Sequence, residues 1–312
     1  MTYRPTSASS QSPDGRPAEL SDFDRDPSLD AAGGPVVHRQ AVGQEESGAS
    51  VTPTFSVCIA VRDRPMLLVQ AVNSVLRGAF GDFEIVVVDD GSAVPVQEAL
   101  AEAGLLADQR IRLVRQRPSG ISAARNAALR VARGRYITVL DSDDELTSDG
   151  LGRINDFLTG TGAAWIYTDY EEVVGQGGSR VIRLPTYRTA RRMLWSVMLR
   201  PRLPFKHSGM SVDRVLLQRL GGYDEQIPIK VDVELLLRVL SSGIQPQHLP
   251  YPVVRFHRHG GNISRRRLAG LSVWYRVIRK YSRPRVPGLA FLAVAVRVLS
   301  ELGKWLVTSV GR

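Results

Sequence analysis

From Phe55 onward, short β-branched runs alternate with stretches of helical pattern, and no other feature narrows the possible folds of this 312-residue chain as much. FSVCIAV precedes a helical stretch from about Pro65 to Leu76, EIVVVD one from about Val94 to Leu105, and IRLVR the segment SAARNAALRVA, after which YITVLD follows. Strands spaced by helices predict an α/β fold, with a mostly parallel central sheet, right-handed crossovers and helices on its faces. Ligands of such sheets gather beyond the carboxyl ends of the strands. Here those ends are Arg62-Asp63, Asp89-Asp90 and Asp141 to Asp144, so most carry acids. Further on, WIYTDY at Trp165 to Tyr170 reads as a strand, and KHSGMSVDRVLLQRLGGYDE as a strand or loop entering a helix that stops at Gly221-Gly222. VDVELLLRVLSSG reads as a helix capped by Gly243, with Val231, Leu235, Leu236, Val239 and Leu240 as its core stripe. Asp232 then stands near the helix N-terminus, where the dipole favours its ionised form.

The two ends have a different character, and the chain divides into residues 1–52, 53–264 and 265–312. The first segment is rich in Ser, Pro, Gly and Asp and carries a net charge of -4, a composition expected to stay disordered. The overall charge of +10 comes from the other end, where residues 255–312 hold thirteen Lys or Arg against Glu301. The central part is nearly neutral and shows no zinc-finger or RNP signature, which argues against nucleic acid as a partner. Residues 265–312 open with three arginines and run into GLAFLAVAVRVLSELGKWLVTSV, in which Arg297, Glu301, Lys304 and Thr308 recur on one helical side. Such a basic amphipathic helix suits the anionic inner face of a membrane; packing on the central domain or a partner, with Trp305 as core, is the other reading. The single cysteine, Cys58, excludes an intramolecular disulfide and fits a reducing, cytoplasmic setting. No apolar run reaches the length of a membrane span, and no secretory h-region follows Met1.

RYITVLDSDDE places Asp141, Asp143 and Asp144 directly after an apolar run. Carboxylates so close repel one another, and a divalent cation with hard oxygen ligands relieves this, often shared with a substrate's phosphates. Turn and helix-cap roles are the ordinary alternative. FSVCIAVRDR, AVNSVL, FEIVVVDDGS, SGISAARNAALRVARGRYITVLDSDD, GGYDEQIPIKVDVELLLRVLSSG and RFHRHGGNIS together resemble, in order and spacing, the family 2 glycosyltransferases of the GT-A fold, over about residues 54–264. The resemblance implies an inverting, metal-dependent transfer of a sugar from a nucleotide diphosphate donor, UDP- or dTDP-linked, to a hydroxyl of a polysaccharide, lipid-linked or small-molecule acceptor. It implies Mn2+ or Mg2+ as cofactor.

Residue by residue, the resemblance makes Asp143 the direct metal ligand, with Asp141 facing the ribose or the metal through water and Asp144 orienting the donor sugar. Asp90 matches the acid that meets the base, and Asp89 a turn residue supporting it. Ala60, Val61 and Asp63 would line the nucleoside pocket, although Asp63 also suits a helix cap ahead of Pro65. Arg125 matches an arginine near the nucleotide and acidic loops, with an ordinary helix-surface role as the alternative. His259 matches a terminal-loop histidine that reaches metal or diphosphate, and His257 competes with it. Asp232 takes the place of the base that removes the acceptor's proton. The family's Glu-Asp pair is Val231-Asp232 here, which leaves the acceptor open, and Glu234 is expected on a solvated face. A nucleotide- or membrane-binding module without catalysis, and a nucleotidyltransferase, are the competing functions.

Overall fold

The computed structural model describes residues 36–38, 52–174, 178–200, 203–257, 267–282, 288 and 291–299. β2 (Phe55–Val61), β3 (Phe83–Asp90), β4 (Ile111–Gln116) and β5 (Tyr136–Val139) lie parallel in the order β4-β3-β2-β5. Their connections are α1 (Pro65–Leu76), α2 (Val96–Glu102) and α3 (Ile121–Val131), as the alternation predicts. β1 (Val36–His38), from the segment set apart as a tail, pairs antiparallel with β4. The rest of residues 1–51 lies outside the described residues.

Beyond β5 the pattern changes. The short β6 (Asp144–Leu146) leads into α4 (Gly150–Thr161), β7 (Trp165–Val174), its antiparallel neighbour β8 (Gly178–Ile182) and α5 (Ala190–Leu199). β9 (Ser211–Asp213) then inserts antiparallel between β5 and β7. α6 (Arg214–Arg219) and α7 (Val231–Ser241) lead to β10 (Gln247–His257), which runs parallel to β7 and antiparallel to β6. This register sets Phe256 opposite Asp144, so the end of β10 returns to the acidic turn after β5.

Two apolar layers enclose the sheet. Val57 and Ile59 of β2, Ile85 and Val87 of β3, and residues of α1, α2 and α4 form one; α3, α5, α6 and α7 cover the other. α8 (Arg267–Ser282), in the segment set apart as an extension, adds Val273, Trp274, Val277 and Ile278 to this second layer. Each side chain of that size removed from water contributes about 1.5–3 kcal/mol, so α8 supplies an amount comparable with a domain's whole net stability. The break that composition suggests at residue 264 is therefore not a break in packing.

A second departure concerns Glu234. It is 1% exposed rather than solvated. Its carboxylate meets Arg238 at 2.9 Å and Lys280 at 3.1 Å, and accepts a hydrogen bond from the Tyr281 hydroxyl at 2.5 Å. The stripe Val231, Leu235, Leu236, Val239 and Leu240 is buried as its spacing predicts, but Val233, Glu234 and Leu237 are buried as well, because α5 and α8 both pack against α7.

Candidate active site

Parallel pairing brings the ends of β2, β3, β4 and β5 to one edge of the sheet. Val61 at the end of β2 stands opposite Asp89, and Ala60 beside it is half-buried. Asp89 is a scaffold acid: it accepts from the Ser92 amide at 2.9 Å and pairs with Arg115 at 2.7 Å. Asp90 accepts from Gln116 Nε2 and the Ser119 amide through Oδ1, and from the Gly120 amide through Oδ2, each at 2.8 Å. It thus holds the entry to α3. Asp63 does not cap α1, whose N-cap is Arg64. With a left-handed φ of 55°, it donates its amide to Ser92 Oγ and accepts from the Ala93 amide, which joins the loops after β2 and β3.

The acidic turn is folded back on itself by a hydrogen bond from the Asp144 amide to the Asp141 carbonyl. Oxygens of Asp141, Asp143 and Asp144 lie within 4.8 Å of one another. Each acid also faces a cation of the protein: Asp141 meets Arg125 at 2.8 Å, Asp143 meets Arg64 at 2.7 Å and Asp144 meets Lys206 at 3.3 Å. Burial opposes the charge on Asp141, yet Arg125 and Lys206 hold its pKa below the ordinary value. For Asp144 burial wins. Its pKa is pushed up to about 7, with Lys206 working against the shift and Asp141 adding to it. Both Asp144 oxygens are buried and lack a well-formed hydrogen bond, although Lys206 and Ser208 stand close. Hard oxygen donors at this spacing, one carboxylate of them unsatisfied, fit a divalent cation.

Three neighbours of the triad were not among the residues expected from sequence. Lys206, His207 and Ser208 belong to the irregular segment before β9, which is locked to the end of β5 by hydrogen bonds from the Gly209 amide to the Val139 carbonyl and from the Val139 amide to the Met210 carbonyl. Gly209 has φ +89°, and a Cβ there would stand 2.8 Å from Val254, so only glycine lets this segment pass so close to β10. The Asp141 amide donates to Ser208 Oγ. His207 is buried, and that burial, with Arg125 nearby, pushes its pKa well below the ordinary value, leaving it neutral. Its Nε2 lies 3.1 Å from the Tyr223 hydroxyl. The signal for these residues was the KHSG run that opens a stretch read as a strand or loop, but its place beside the triad depends on β9 pairing with β5.

Tyr223 connects the triad to the helix of Asp232. Its amide donates to Asn126 Oδ1 and its carbonyl accepts from Asn126 Nδ2, which sets the ring 5.5 Å from the Arg125 guanidinium. Asp232, half-buried at the start of α7, is close enough to act electrostatically on the Tyr223 hydroxyl. Among the described residues it forms no ion pair or hydrogen bond through its side chain. Arg125 thus lies against the acidic triad rather than on the open surface of α3, with its side chain 10% exposed. His257, at the end of β10, lies 3.0 Å from Glu145; His259 lies outside the described residues.

Residues 56–217, about half of the chain, match the family model described as Glycosyl transferase family 2. The chain belongs to that family. Succinoglycan biosynthesis protein ExoO of Rhizobium meliloti (strain 1021) is 31% identical over 223 residues, which cover 68% of this chain and 63% of that protein. Chondroitin synthase of Escherichia coli is 28% identical over 212 residues, 67% of this chain and 30% of the synthase. The chain therefore spans less than two thirds of the length of either relative. Among solved structures, S. aureus TarS 1-349 in complex with UDP-GlcNAc is similar with a TM-score of 0.58 at 17% identity, covering 72% of this chain and 65% of TarS. The likeness shows that this family 2 member has the GT-A fold. No described helix is long and apolar enough to cross a membrane.

Proposed function

We propose that this family 2 chain is a cytoplasmic, metal-dependent, inverting glycosyltransferase that moves a sugar from a UDP- or dTDP-linked donor to a hydroxyl of a cell-envelope polysaccharide, lipid-linked or small-molecule acceptor. The observation that carries the reading is the juxtaposition of a triad of acids at the sheet edge with a carboxylate, Asp232, that forms no ion pair or hydrogen bond among the described residues and is linked to the triad through Tyr223, whose ring lies beside Arg125. Family membership and the polysaccharide-related names of the relatives support it.

In this reading Asp143 and Asp141, with His259, hold Mn2+ or Mg2+. A bound divalent cation offsets the charge that develops on the departing diphosphate. Ala60, Val61 and Asp63 line the nucleoside pocket, and Asp90 Oδ2, which accepts from the Gly120 amide, keeps lone-pair capacity for a base N–H. Asp144 orients the donor sugar. Arg125 and Arg64 are guanidinium groups already at the acids and suit phosphate oxygens as well. Asp232 accepts the proton of the acceptor hydroxyl as its oxygen attacks the anomeric carbon from the face opposite the diphosphate.

The test is incubation of the purified protein with a panel of UDP- and dTDP-sugars and either metal, followed by assay of the nucleotide released. A transferase yields nucleoside diphosphate, slowly to water and faster with an acceptor, and its glycoside has the anomeric configuration opposite to the donor's. Pyrophosphate released from a nucleoside triphosphate would instead identify a nucleotidyltransferase, and tight donor binding without any release would identify a binding module.

A further inference from the structure

Helix 291–299 turns to solvent the face that a soluble helix ordinarily hides. The sequence pattern puts Arg297 on the polar outer side. The structure does the reverse: the Arg297 guanidinium lies 4.5 Å over the Trp274 ring of α8, and Ala293 is buried. The exposed positions are Phe291, Leu292, Ala295 and Leu299, and the three large ones are 70%, 56% and 68% exposed. With 3.6 residues per turn these four positions fall within an arc of roughly 100°, and no polar residue interrupts it. The Phe291 ring meets Tyr275 at 5.5 Å, which seats the stripe against α8. The outer face of α8 carries exposed Arg276 and Arg279.

We propose that the stripe of 291–299 and the arginines of α8 form a docking surface for an anionic lipid bilayer. The apolar side chains enter the boundary between headgroups and acyl chains while the arginines meet headgroup phosphates. Charge decides among occupants. Residues 255–312 carry net +12, so a second copy of this region repels the first, whereas an anionic leaflet attracts it. The acidic residues 1–52 match in sign, but their few large apolar residues are scattered singly or in the pair Val36-Val37, without the sustained helical spacing that a covering apolar face would need. The inference does not rest on glycosyl transfer, because docking needs neither donor nor metal.

The test is co-sedimentation of the full chain, without nucleotide or metal, with vesicles of phosphatidylcholine alone or mixed with phosphatidylglycerol. Anionic vesicles should bind it at least about 10-fold more tightly than neutral ones, and binding should weaken between about 0.1 and 1 M salt as the screening length falls from about 10 to about 3 Å. The variant F291S/L292S/L299S should lose at least about 10-fold in vesicle affinity, since each exposed apolar group otherwise gains burial in lipid. R276Q/R279Q should lose less and flatten the salt dependence. Equal affinity of the unmodified protein for neutral and anionic vesicles, a readout that needs no variant to fold, or unchanged binding by the triple serine variant would overturn the proposal. So would a triple variant that turns a dimer into a monomer while its vesicle binding stays the same, which would assign the stripe to contact between copies.

Discussion

The acids on the two sides of the site are treated in opposite ways. At the sheet edge, Asp141, Asp143 and Asp144 each face a cation of the protein, whereas Asp232 at the start of α7 faces none among the described residues. Carboxylates within 4.8 Å of one another need positive charge close by whether or not a metal is bound, and Arg64, Arg125 and Lys206 supply it. A lone carboxylate in the proposed role of proton acceptor is better left unpaired, since an ion pair would lower its basicity. The α7 helix makes the same distinction within itself. Glu234, two residues after Asp232, is fully engaged with Arg238, Lys280 and Tyr281 and holds α8, so position on the helix separates a structural acid from an available one.

The largest effect should come from Asp232→Asn, which keeps the shape but cannot take a proton. Turnover should fall by about 100- to 10,000-fold with donor affinity little changed, as measured by steady-state transfer and by titration with donor. Near-normal turnover would break the contrast between the two sides. Glu234→Ala removes the acceptor that Arg238, Lys280 and the Tyr281 hydroxyl share, although Arg238 keeps the Leu220 and Gly222 carbonyls and Lys280 keeps Asp224, and should cost about 1–3 kcal/mol in denaturant unfolding. If stability is unchanged, the buried acid is not the tie between α7 and α8. Asp143→Ala should weaken metal-dependent donor binding by about 10- to 100-fold in calorimetry, by loss of the proposed direct ligand. Relief of repulsion between carboxylates would by itself stabilise the metal-free variant, but Arg64 already compensates Asp143, so little gain in melting temperature is expected.

The smallest effect concerns pH. Burial raises the pKa of Asp144 to about 7 in the folded chain, above its value when unfolded. Between those two values the folded form holds the proton more often, so this group's contribution to stability is complete below the unfolded pKa and is lost as pH rises through about 7. The limiting slope for one proton is about 1.4 kcal/mol per pH unit. Metal-free melting temperatures should therefore decline from about pH 4.5 to about pH 7.5 by an amount that Asp144→Asn removes, on the order of a few degrees. Added Mn2+ should stabilise most at the upper end, where the carboxylate is ionised. A flat difference between parent and variant across the range would show that Lys206 keeps Asp144 charged throughout.

The sheet edge was legible because its signals are local: period and length identify β2 to β5, and the acids stand at their ends. Arg125 could be placed near the acids by resemblance, and the structure brings it to Asp141. Lys206, His207 and Tyr223 were not legible, since their proximity to Asp141 depends on an antiparallel strand, β9, inserted between two parallel ones, and on the Asn126–Tyr223 exchange of hydrogen bonds across 97 residues of sequence. The burial of Glu234 departs from the sequence expectation for the same reason. Helical position shows which side of α7 a residue occupies, but not that a helix later in the chain covers that side. Residues 291–299 show the limit most sharply: the amphipathic pattern was present, and the element it packs against reversed which face turned outward.

The tie between Glu234 and Tyr281 has a consequence for the order in which the chain is made. Ribosomes release the protein from its amino end, and the 47 residues between these partners take about 2 to 10 s to appear at about 5–20 residues per second. During that interval the sheet and α7 can already be assembled, yet a carboxylate meant for a dry interior and the apolar flank around it lie open. The nascent chain thus passes through a stage that is sticky and incomplete at the same place. Chaperone demand should peak there, and synonymous codon changes that slow translation between these two residues should lower soluble yield even though the finished protein is identical.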